Sequence, residues 1–493
     1  MKLVLNGHDE RYVVEQSLMN LFPGELPVYE PVRPGDESWA VITLRETAAD
    51  CRVTVELRHG GRTAARSCRG ALSGTEFEKE GLRRRAIARG FFLAARAVTG
   101  VTPPWGVLTG VRPDKPVTWA LADGKTAEAV RTMLEEDYFV TPERASLALE
   151  TGAAALAASQ KLGPQDIAVY VGIPFCPTRC AYCSFVSQSV ERSFSLVPPY
   201  VDALVEEIRS GGKMVREQGL RVRAFYMGGG TPTTLTAEQM DRVLTAFEES
   251  FDTAPCEEIT VEAGRPDTIT AEKLAVLRAH GVTRVSVNPQ TMEDRVLRAI
   301  GRRHTAGDIG DAMELVAKYG FPHVNMDLIA GLPEDTPEGF RRSLNRCLAF
   351  GTDNVTVHTL ALKKGSRILL EGLAIPGPEA VTEMLDYAAP ALRAAGYGPY
   401  YLYRQKYMSG SFENTGWCRP GAACWYNIYI MSELCSILSF GAGGSTKMVE
   451  PGTNHIQRVF NLKYPKEYTE RPEKCLANQA AFAAFYETLK GAN

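Results

Sequence analysis

Short apolar runs alternate with longer amphipathic windows through the middle of the chain, from residue 165 to residue 364. Runs such as IAVYVGI and EITVE have the length and the apolar content of buried strands. Strands that alternate with helices predict successive βαβ units and a parallel sheet that is covered on both faces. The apolar runs predict strands over residues 167–173, 223–228, 258–262, 284–288, 323–329 and 354–362.

The windows between these runs repeat apolar residues at helical spacing. They predict helices over residues 200–217, 236–249, 270–280, 293–300, 308–319 and 337–350. Six βα units fall short of the eight that close a TIM barrel, so we expect an open, partial (β/α)6 TIM-like barrel. In barrels of this type the chemistry lies on the loops that follow the carboxyl ends of the strands.

The segments on either side of the barrel are less regular. The first hundred residues hold short β-like runs and then a basic helix over 78–98, which together predict a small α+β domain. A stretch rich in Gly and Pro follows, and a helical segment over 125–161 connects it to the barrel. The region after the barrel begins with a helix over 379–395 and predicts a C-terminal α+β extension. The expected domains are therefore 1–100 (N-terminal), 101–164 (linker and helical bridge), 165–364 (barrel) and 365–493 (substrate side).

Composition and charge narrow the function classes. The chain has 493 residues, of which 45% are hydrophobic and 23% charged, as in ordinary globular proteins. Its net charge of −3 gives no electrostatic reason to expect a nucleic acid or an anionic membrane as a partner. Neither a membrane-spanning run nor a signal peptide is evident, so we expect a cytoplasmic protein without a membrane span.

Three of the 11 cysteines stand close together, in the segment GIPFCPTRCAYCSF that follows the first barrel strand. Cys176, Cys180 and Cys183 have the spacing Cys-x3-Cys-x2-Cys. Thiolates suit zinc or iron–sulfur clusters, and three of them on a four-iron cluster would leave one iron open. A zinc ion with a distant fourth ligand and three buried structural cysteines are the alternatives. Tyr182 would shield a cluster from water.

This segment resembles the signature of the radical S-adenosylmethionine (SAM) superfamily, Cys-x3-Cys-x-aromatic-Cys. The resemblance implies a [4Fe-4S] cluster on Cys176, Cys180 and Cys183, with SAM bound at the open iron by its amino and carboxylate groups. It also implies reductive cleavage of SAM to methionine and a 5′-deoxyadenosyl radical, which abstracts a hydrogen atom. The three cysteines would therefore be both metal ligands and catalytic residues.

Further segments resemble the oxygen-independent coproporphyrinogen III oxidase-like family. They are YVGIPFC, MGGGTPTTL, SVNPQT, IGRRHT and MDLIAGLP. Glycines let a ligand approach the backbone closely, carboxylates accept hydrogen bonds from ammonium or ribose hydroxyl groups, and an arginine clamps a carboxylate. The resemblance implies cofactor-binding roles for Tyr170, Tyr182, Gly229, Gly230, Thr231, Glu262, Gln290, Arg302, Asp327 and Ala361.

Segments outside the barrel, among them PPWGVLTGVRPDKPV and ILSFGAGGSTK, look like the HemZ-type branch of this family, whose members are assigned as coproporphyrinogen dehydrogenases. The resemblance covers nearly the whole chain. It implies an oxidoreductase of heme and porphyrin biosynthesis, which converts coproporphyrinogen III to protoporphyrinogen IX by SAM-dependent oxidative decarboxylation. A tetrapyrrole substrate, a reduced flavodoxin or ferredoxin-type electron donor and a monomeric state follow from the same resemblance.

Three positions depart from the pattern of the well-characterised oxidase. Phe185 stands where that enzyme has a fourth cysteine, Gly172 replaces a histidine, and Asn288-Pro289 precedes Gln290 in place of Gly-x. The heme-chaperone branch also has Phe at the position of Phe185. A heme-binding or heme-delivery protein without decarboxylase turnover is therefore an alternative function, and another radical reaction on a tetrapyrrole is a third.

A tetrapyrrole site needs apolar surface for the rings and cations for the propionates. The C-terminal region offers such residues, although they would equally suit a small core with a solvated charged face. Cys418, Cys424 and Cys435 could hold an auxiliary cluster, but their wide spacing favours free thiols. The candidate substrate residues are Tyr400, Tyr401, Tyr403, Arg404, Lys406, Trp417, Arg419, Trp425, Tyr426, Lys447 and Arg458.

Overall fold

A computed structural model describes residues 1–183, 188–363, 365–405, 412–453 and 455–491. The chain forms two compact units, which are described separately here. One contains Met1–Leu149 and Arg404–Phe412, and the other contains Glu150–Tyr403 and Glu413–Asn493. Within the described ranges, no helix combines the length and the apolar content that crossing a membrane requires.

The chain up to residue 159 contains four strands and five α-helices, with one π-helical turn at Met133–Asp137. In chain order they are β1 (Lys2–Asn6), α1 (Arg11–Leu21), β2 (Trp39–Glu46), β3 (Asp50–His59), β4 (Arg62–Ala71), α2 (Glu76–Thr99), α3 (Lys115–Ala122), α4 (Ala127–Thr132) and α5 (Pro142–Ser159).

The first unit is built on a small sheet with the strand order β1-β2-β3-β4. β1 runs parallel to β2, and the other pairs are antiparallel. Alternate residues of β2 and β3 are buried, as period-two patterning requires. Helix α2 begins at a capping box between Thr75 and Glu78 and ends at Gly100, whose φ is 75°. The predicted small α+β domain is therefore confirmed as a fold.

The second unit contains the remaining elements. Its strands are β5 (Asp166–Ile173), β6 (Phe175–Cys176), β7 (Gln188–Ser189), β8 (Arg221–Gly229), β9 (Glu258–Gly264), β10 (Arg284–Val287), β11 (His323–Ala330), β12 (Asn354–Thr359), β13 (Gly398–Arg404, whose last residue belongs to the first unit), β14 (Glu413–Cys418), β15 (Ser436–Phe440), β16 (Ser445–Val449) and β17 (Ile456–Phe460).

The α-helices of this unit are α6 (Val190–Ser193), α7 (Val197–Glu217), α8 (Ala237–Ser250), α9 (Ala271–Ala279), α10 (Asp294–Ala299), α11 (Ala306–Tyr319), α12 (Pro337–Ala349), α13 (Arg367–Glu371), α14 (Pro378–Ala394), α15 (Trp425–Ser432), α16 (Pro465–Glu470) and α17 (Pro472–Gly491). Short 3₁₀ turns occur at Phe194–Leu196, Pro232–Thr234 and Pro266–Thr268.

An 11-stranded sheet organises the second unit, with the order β13-β14-β12-β11-β10-β9-β8-β5-β15-β16-β17. The strands β5 and β8 to β12 are parallel neighbours, and these are the strands that the apolar runs predict. β15 extends the parallel part beyond β5, whereas β14 is antiparallel to β12. The predicted partial barrel is confirmed, and strands from the C-terminal region extend its sheet on both sides.

Threonine caps start several of the helices that follow the parallel strands. The hydroxyl groups of Thr236, Thr270, Thr305 and Thr336 accept a hydrogen bond from the backbone N–H three residues later, at the starts of α8, α9, α11 and α12. Such caps satisfy N–H groups that a helix leaves without an internal partner. The loops at the carboxyl ends of the strands are thereby fixed where they enter the helices.

Polar contacts and aromatic packing close the amino-terminal end of the barrel interior. Glu258 and Arg284, the first residues of β9 and β10, lie 3.4 Å apart. Arg284 donates to the carbonyl oxygen of Ala422 at 3.1 Å, and Glu258 accepts from the Cys424 thiol at 3.0 Å. Helix α15 begins beside these contacts, and Tyr426 is buried with it. The opposite, carboxyl-terminal end is therefore the one available for a ligand.

Candidate functional site

The cysteine loop begins at Cys176, the last residue of β6, and continues through Cys180 and Cys183. Neighbouring segments hold it. The Ala181 N–H donates to the carbonyl oxygen of Ile300 at 2.9 Å, and the Cys183 N–H donates to that of Cys180 at 3.1 Å. None of the 11 cysteines forms a disulfide. In the described ranges, no three His, Cys, Asp or Glu side chains converge on a single metal ion.

The glycine-rich loop after β8 packs directly on the cysteine loop. The Gly230 and Thr231 N–H groups donate to the carbonyl oxygens of Ile173 and Phe175, each at 2.7 Å. A Cβ atom added to Gly230 would lie 2.5 Å from the Phe175 oxygen and 3.0 Å from Cys176 Sγ. Thr231 Oγ1 donates to the same sulfur at 3.5 Å. Only glycine fits at position 230, because the two loops are in contact there.

Tyrosines and a glutamate face the barrel interior beside these loops. Tyr170 on β5 is paired in register with Tyr226 on β8, and their rings stack with centroids 6.3 Å apart. The Tyr226 hydroxyl donates to Glu262 Oε1 at 2.5 Å. Tyr426 stacks on both tyrosines from below, with centroid distances of 6.2 and 4.5 Å. Tyr226 therefore holds Glu262 in place near the carboxyl end of β9.

Asp327 and His358 extend this polar interior across β11 and β12. Asp327 Oδ2 lies 3.8 Å from His358 Nε2, and its Oδ1 accepts from the Asn325 side chain at 2.8 Å. The side chains of His358 and Asp327 are 26% and 18% exposed. Water therefore reaches part of this polar group.

The two acidic residues differ in their protonation. Burial, with a smaller contribution from the nearby charge of Asp327, raises the pKa of Glu262 to about 7 against the hydrogen bond from Tyr226. Burial also acts upward on Asp327, but the neighbouring His358 ring and the hydrogen bond from Asn325 hold the pKa of Asp327 below its usual value. A cation bound between them would relieve the repulsion and favour ionised Glu262.

Gln290 and Arg302 connect the interior to the cysteine loop. Gln290 is buried with a φ of 68°, and its Oε1 atom has no hydrogen-bond partner. Its N–H donates to the carbonyl oxygen of Asp327 at 2.9 Å. Arg302 donates to the carbonyl oxygen of Asn288 and, at 3.2 Å, to the hydroxyl of Tyr182. The unusual backbone at Gln290 holds an unsatisfied amide oxygen at the site, which is typical of a position that binds a ligand.

Most of the predicted cofactor residues lie in this one region. Gly229, with a φ of 110°, lies where an added Cβ atom would be 3.3 Å from Tyr170 Oη. Ala361 lies two residues after the end of β12, in a segment without regular structure. Phe185 lies outside the described residues.

Most of the aromatic candidate substrate residues pack in one core cluster, which includes Tyr400, Tyr401 and Tyr426 and against which Tyr403 and Trp425 pack. Tyr400, Tyr401, Trp417 and Tyr426 are buried in the core, which supports the alternative that the C-terminal aromatic residues are structural. Lys447 donates to the Ile430 carbonyl oxygen. Arg404 belongs to the first unit, and Lys406 lies outside the described residues.

The three C-terminal cysteines, Cys418, Cys424 and Cys435, are also at least partly buried. Cys424 and Cys435 are buried, and Cys418 is half-buried. Burial raises the pKa of each of these thiols. None of them joins a group of three metal-ligating side chains in the described ranges. The expectation of free thiols is therefore favoured over that of an auxiliary cluster.

Tyr226 and His358 are site residues that the sequence analysis did not identify. A signal was available for both. In the strand sequence NVTVHT, Thr356 and His358 alternate with Val355 and Val357, and a polar residue at every second position of a buried strand points to the barrel interior. Tyr226 stands at the register position of Tyr170, one strand along.

Comparison with known proteins identifies the family. Residues 170–347 match the family profile described as the Radical SAM superfamily. The oxygen-independent coproporphyrinogen-III oxidase-like protein HemZ of Bacillus subtilis (strain 168) is 37% identical over 483 residues, and the alignment covers 96% of each chain. The chain belongs to this radical SAM family.

Two other relatives share parts of the chain. The heme chaperone HemW of Mycobacterium tuberculosis (strain ATCC 25618 / H37Rv) is 30% identical over 314 residues, which are 62% of this chain and 74% of that protein. The structure of coproporphyrinogen III oxidase (HemN) from Escherichia coli superposes with a TM-score of 0.52 at 24% identity, covering 68% of this chain and 73% of that chain. HemN thus supports the fold.

The radical SAM superfamily implies a [4Fe-4S] cluster and SAM. The described residues fit both groups. In a four-iron cluster each thiolate binds a different iron, so the cysteines need not converge on one ion. The open barrel interior offers Glu262, Asp327 and the unpartnered Gln290 oxygen to a polar cationic ligand such as SAM.

Proposed function

We propose that this protein catalyses the SAM-dependent, oxygen-independent oxidative decarboxylation of coproporphyrinogen III to protoporphyrinogen IX. The observation that carries the proposal is the extent of the match to HemZ, which covers 96% of each chain. That match includes the regions outside the barrel, whereas the match to the heme chaperone covers 62% of this chain. The protein is thus proposed to be an oxidoreductase of heme and porphyrin biosynthesis.

In this proposal Cys176, Cys180 and Cys183 ligate three irons of the cluster, and the fourth iron takes the amino and carboxylate groups of SAM. When bound, the cluster and SAM supply a 5′-deoxyadenosyl radical. Thr231 donates to Cys176 Sγ, and hydrogen bonds to cluster sulfurs tune a cluster's reduction potential. Tyr182 covers the cysteine loop and is held in place by Arg302.

The SAM site lies between the glycine-rich loop and the interior carboxylates. Gly229 and Gly230 would let the ligand approach the backbone, and Glu262 would accept a hydrogen bond from the SAM amino group. Asp327 and the unpartnered oxygen of Gln290 accept from the ribose hydroxyl groups. Tyr170 forms one wall beside Gly229, and Arg302 stabilises the SAM carboxylate.

Each propionate reacts in the same way. The 5′-deoxyadenosyl radical would take a hydrogen atom from the β-carbon and become 5′-deoxyadenosine. The bond to the carboxylate carbon then breaks, and CO2 leaves. One electron passes to a one-electron acceptor, and a vinyl group remains. The propionates of rings A and B react in turn, each with one SAM and one electron from a reduced flavodoxin or ferredoxin-type donor.

The second candidate function is heme delivery without turnover. The observation in its favour is the 30% identity to a heme chaperone over 314 residues. That function predicts stable binding of oxidised heme and intact coproporphyrinogen.

The test uses cluster-reconstituted protein under anaerobic conditions, with dithionite, SAM, a one-electron acceptor and coproporphyrinogen III. The variant Cys180→Ala is compared with Cys347→Ala, which removes a buried thiol from α12 outside the proposed site. We expect Cys180→Ala to lose bound iron and 5′-deoxyadenosine formation while remaining folded, and Cys347→Ala to retain both. Full SAM cleavage by Cys180→Ala would refute the cluster assignment. Intact coproporphyrinogen with tightly bound heme would favour the second candidate.

A further inference from the structure

An exposed apolar pair lies beside the cysteine loop. On helix α13, Leu369 and Leu370 are 47% and 75% exposed. The neighbouring residue of the same helix, Ile368, is buried, and its N–H donates to the carbonyl oxygen of Ala181 at 3.3 Å. Ala181 stands between Cys180 and Cys183 in the cysteine loop. The two exposed leucines are therefore carried by a helix that contacts the proposed cluster-binding loop itself.

Exposed arginines lie on the cysteine loop and on α13, the helix that carries the two leucines. Arg179, within the cysteine loop, donates to the carbonyl oxygen of Gly365 at 3.4 Å, just before α13. A Cβ atom added to Gly301 would lie 3.6 Å from both the Arg179 backbone oxygen and Arg367 Nη1. The guanidinium group of Arg367 and the backbone of Arg179 are thus close together at the same loop.

Two further arginines flank Gly301. The Gly301 N–H donates to the carbonyl oxygen of Arg298 at 3.0 Å, and Arg303 follows two residues later; both side chains are exposed. The segment 295–303 holds three exposed arginines, Arg295, Arg298 and Arg303, besides the buried Arg302, and the acidic residues Glu293 and Asp294 precede it. Glu371 pairs with Arg367 at 2.7 Å and offsets part of this charge. We call Arg179, Arg298, Arg303, Arg367, Leu369 and Leu370 the cysteine-loop patch.

We propose that the cysteine-loop patch docks a small acidic one-electron carrier protein of the flavodoxin or ferredoxin class. The proposal rests on the proposed function, since it names the surface through which the cluster would be reduced. Carboxylates of the carrier would face the arginines, and the two leucines would supply the desolvated centre of the contact. One electron passes from the carrier's cofactor to the cluster, with no bond formed and no proton moved.

The shape of the patch favours a protein over a small molecule. Sites for small ligands are concave, whereas α13 presents its leucines outward to solvent. The charge complementarity required by the proposal speeds encounter and gives a salt-dependent rate, as in short-lived electron-transfer complexes with small interfaces. Binding of tetrapyrrole propionates by the same arginines is a distinct outcome that the test separates.

The test compares a patch variant with a matched control in the full-length protein. The patch variant is Arg298→Glu with Leu370→Glu. The control is Arg209→Glu with Leu476→Glu, which alters an exposed arginine on α7 and a leucine on α17 that is 55% exposed. Binding of oxidised flavodoxin is measured by calorimetry on protein without a cluster. Cluster reduction by reduced flavodoxin is measured by stopped-flow absorbance on reconstituted protein, at about 0.01 M and about 0.1 M salt, where the Debye length falls from ~30 to ~10 Å.

We expect the patch variant to bind flavodoxin at least ~10-fold more weakly and to be reduced at least ~10-fold more slowly at low salt, with a smaller difference at the higher salt. The control should behave as the wild type, and 5′-deoxyadenosine formation with dithionite should be unchanged in all three proteins. Cluster reduction in the patch variant at the wild-type rate would overturn the docking proposal. A raised KM for coproporphyrinogen together with a normal rate of cluster reduction would overturn it too. Loss of dithionite-driven cleavage in the patch variant alone would also overturn it, because the patch would then be structural. Loss in the wild type would instead contradict the proposed function.

Discussion

At the scale of single residues, the protonation of Glu262 links the candidate site to the stability of the fold. The pKa of Glu262 rises from an ordinary value of 4.5 to about 7, with burial as the main cause. Between these pH values the folded chain holds a proton that the unfolded chain releases. The stability contributed by this group is therefore present below pH 4.5 and is lost as the pH rises through 7.

The raised pKa of Glu262 leads to a prediction for Glu262→Gln. Without SAM, the variant should be more stable than the wild type at pH 8 by ~2 kcal/mol, because glutamine avoids the cost of a buried charge. Part of the Glu262 side chain still reaches water, which limits this gain, and the two proteins should be nearly equal in stability at pH 5. SAM binding should weaken, because a neutral glutamine oxygen is a weaker hydrogen-bond acceptor than a carboxylate. Thermal unfolding at both pH values and SAM titration provide the measurements. The exposed Glu217→Gln serves as a control with no effect; a less stable Glu262→Gln at pH 8 would contradict the expectation.

The contact between the glycine-rich loop and the cysteine loop leads to a second prediction at this scale. Gly230→Ala would bring its Cβ atom to 2.5 Å from a backbone oxygen, so the loops must separate. We expect a loss of ~1–3 kcal/mol in stability and strongly reduced SAM cleavage. The comparison variant is Gly310→Ala in α11, where no atom lies within 4 Å of the added carbon.

Gly310→Ala should be more stable than the wild type by ~0.5–1 kcal/mol, because alanine is the better helix former. Thermal unfolding and 5′-deoxyadenosine formation are measured for both glycine variants. Equal stability and activity in Gly230→Ala would show that the two loops have room to separate without cost.

At the scale of secondary-structure elements, a buried carboxylate on α7 joins the C-terminal segments to the barrel. Glu207 accepts hydrogen bonds from the Gly441 N–H and the Asn461 side chain, both at 2.7 Å, and from the Tyr468 hydroxyl at 2.5 Å. Tyr200, on the same helix, donates to the carbonyl oxygen of Gly172 near the end of β5 at 2.5 Å. Helix α7 thereby fixes the loop after β15 against the strand that leads into the cysteine loop.

Removal of this carboxylate should destabilise the second unit. We expect Glu207→Ala to cost ~3 kcal/mol, since it leaves buried donors without an acceptor, and Glu207→Gln to cost less, because it keeps one acceptor oxygen. The adjacent Glu206, which is 73% exposed and paired with Arg209, provides the control. Glu206→Ala should change stability by less than ~1 kcal/mol. Similar thermal stabilities of Glu206→Ala and Glu207→Ala would contradict this role of Glu207.

The elements also show which parts of the fold the sequence could predict. The six parallel barrel strands agree with the apolar runs, because burial on both faces leaves an unbroken apolar pattern. Helix α1 and strand β4 were not predicted, and β4 is mostly exposed, so its residues carry no alternating signal. The predicted helix over 125–161 is divided, with a π-helical turn at Met133–Asp137 between α4 and α5.

The candidate site was predictable to a similar degree. Resemblance to the family indicated Glu262, Gln290 and Asp327, which lie on or just after the strands β9, β10 and β11. Their partners Tyr226 and His358 were not found, since they belong to no motif and reach the site only through the register of neighbouring strands. The attachment of β14 and β15 to opposite sides of the parallel strands depends on pairing between distant segments, which local patterns do not reveal.

At the scale of the whole molecule, the two ends of the barrel in the second unit differ in the residues that they bring together. Glu258, Arg284 and α15 fill the amino-terminal end with paired polar groups and aromatic rings. The carboxyl-terminal end brings the cysteine loop, the glycine-rich loop and the interior carboxylates together. In barrels of this type the chemistry lies at that end of the strands.

Decarboxylation of coproporphyrinogen III at this site can be tested directly by one anaerobic measurement. Reconstituted protein is incubated with dithionite, SAM, a one-electron acceptor and coproporphyrinogen III, and 5′-deoxyadenosine, CO2 and porphyrinogen products are quantified together by mass spectrometry. We predict protoporphyrinogen IX, with one 5′-deoxyadenosine and one CO2 for each vinyl group formed. The protein in this measurement must contain its cluster and bind heme stably. Unchanged coproporphyrinogen with little 5′-deoxyadenosine would then contradict the proposed decarboxylase function.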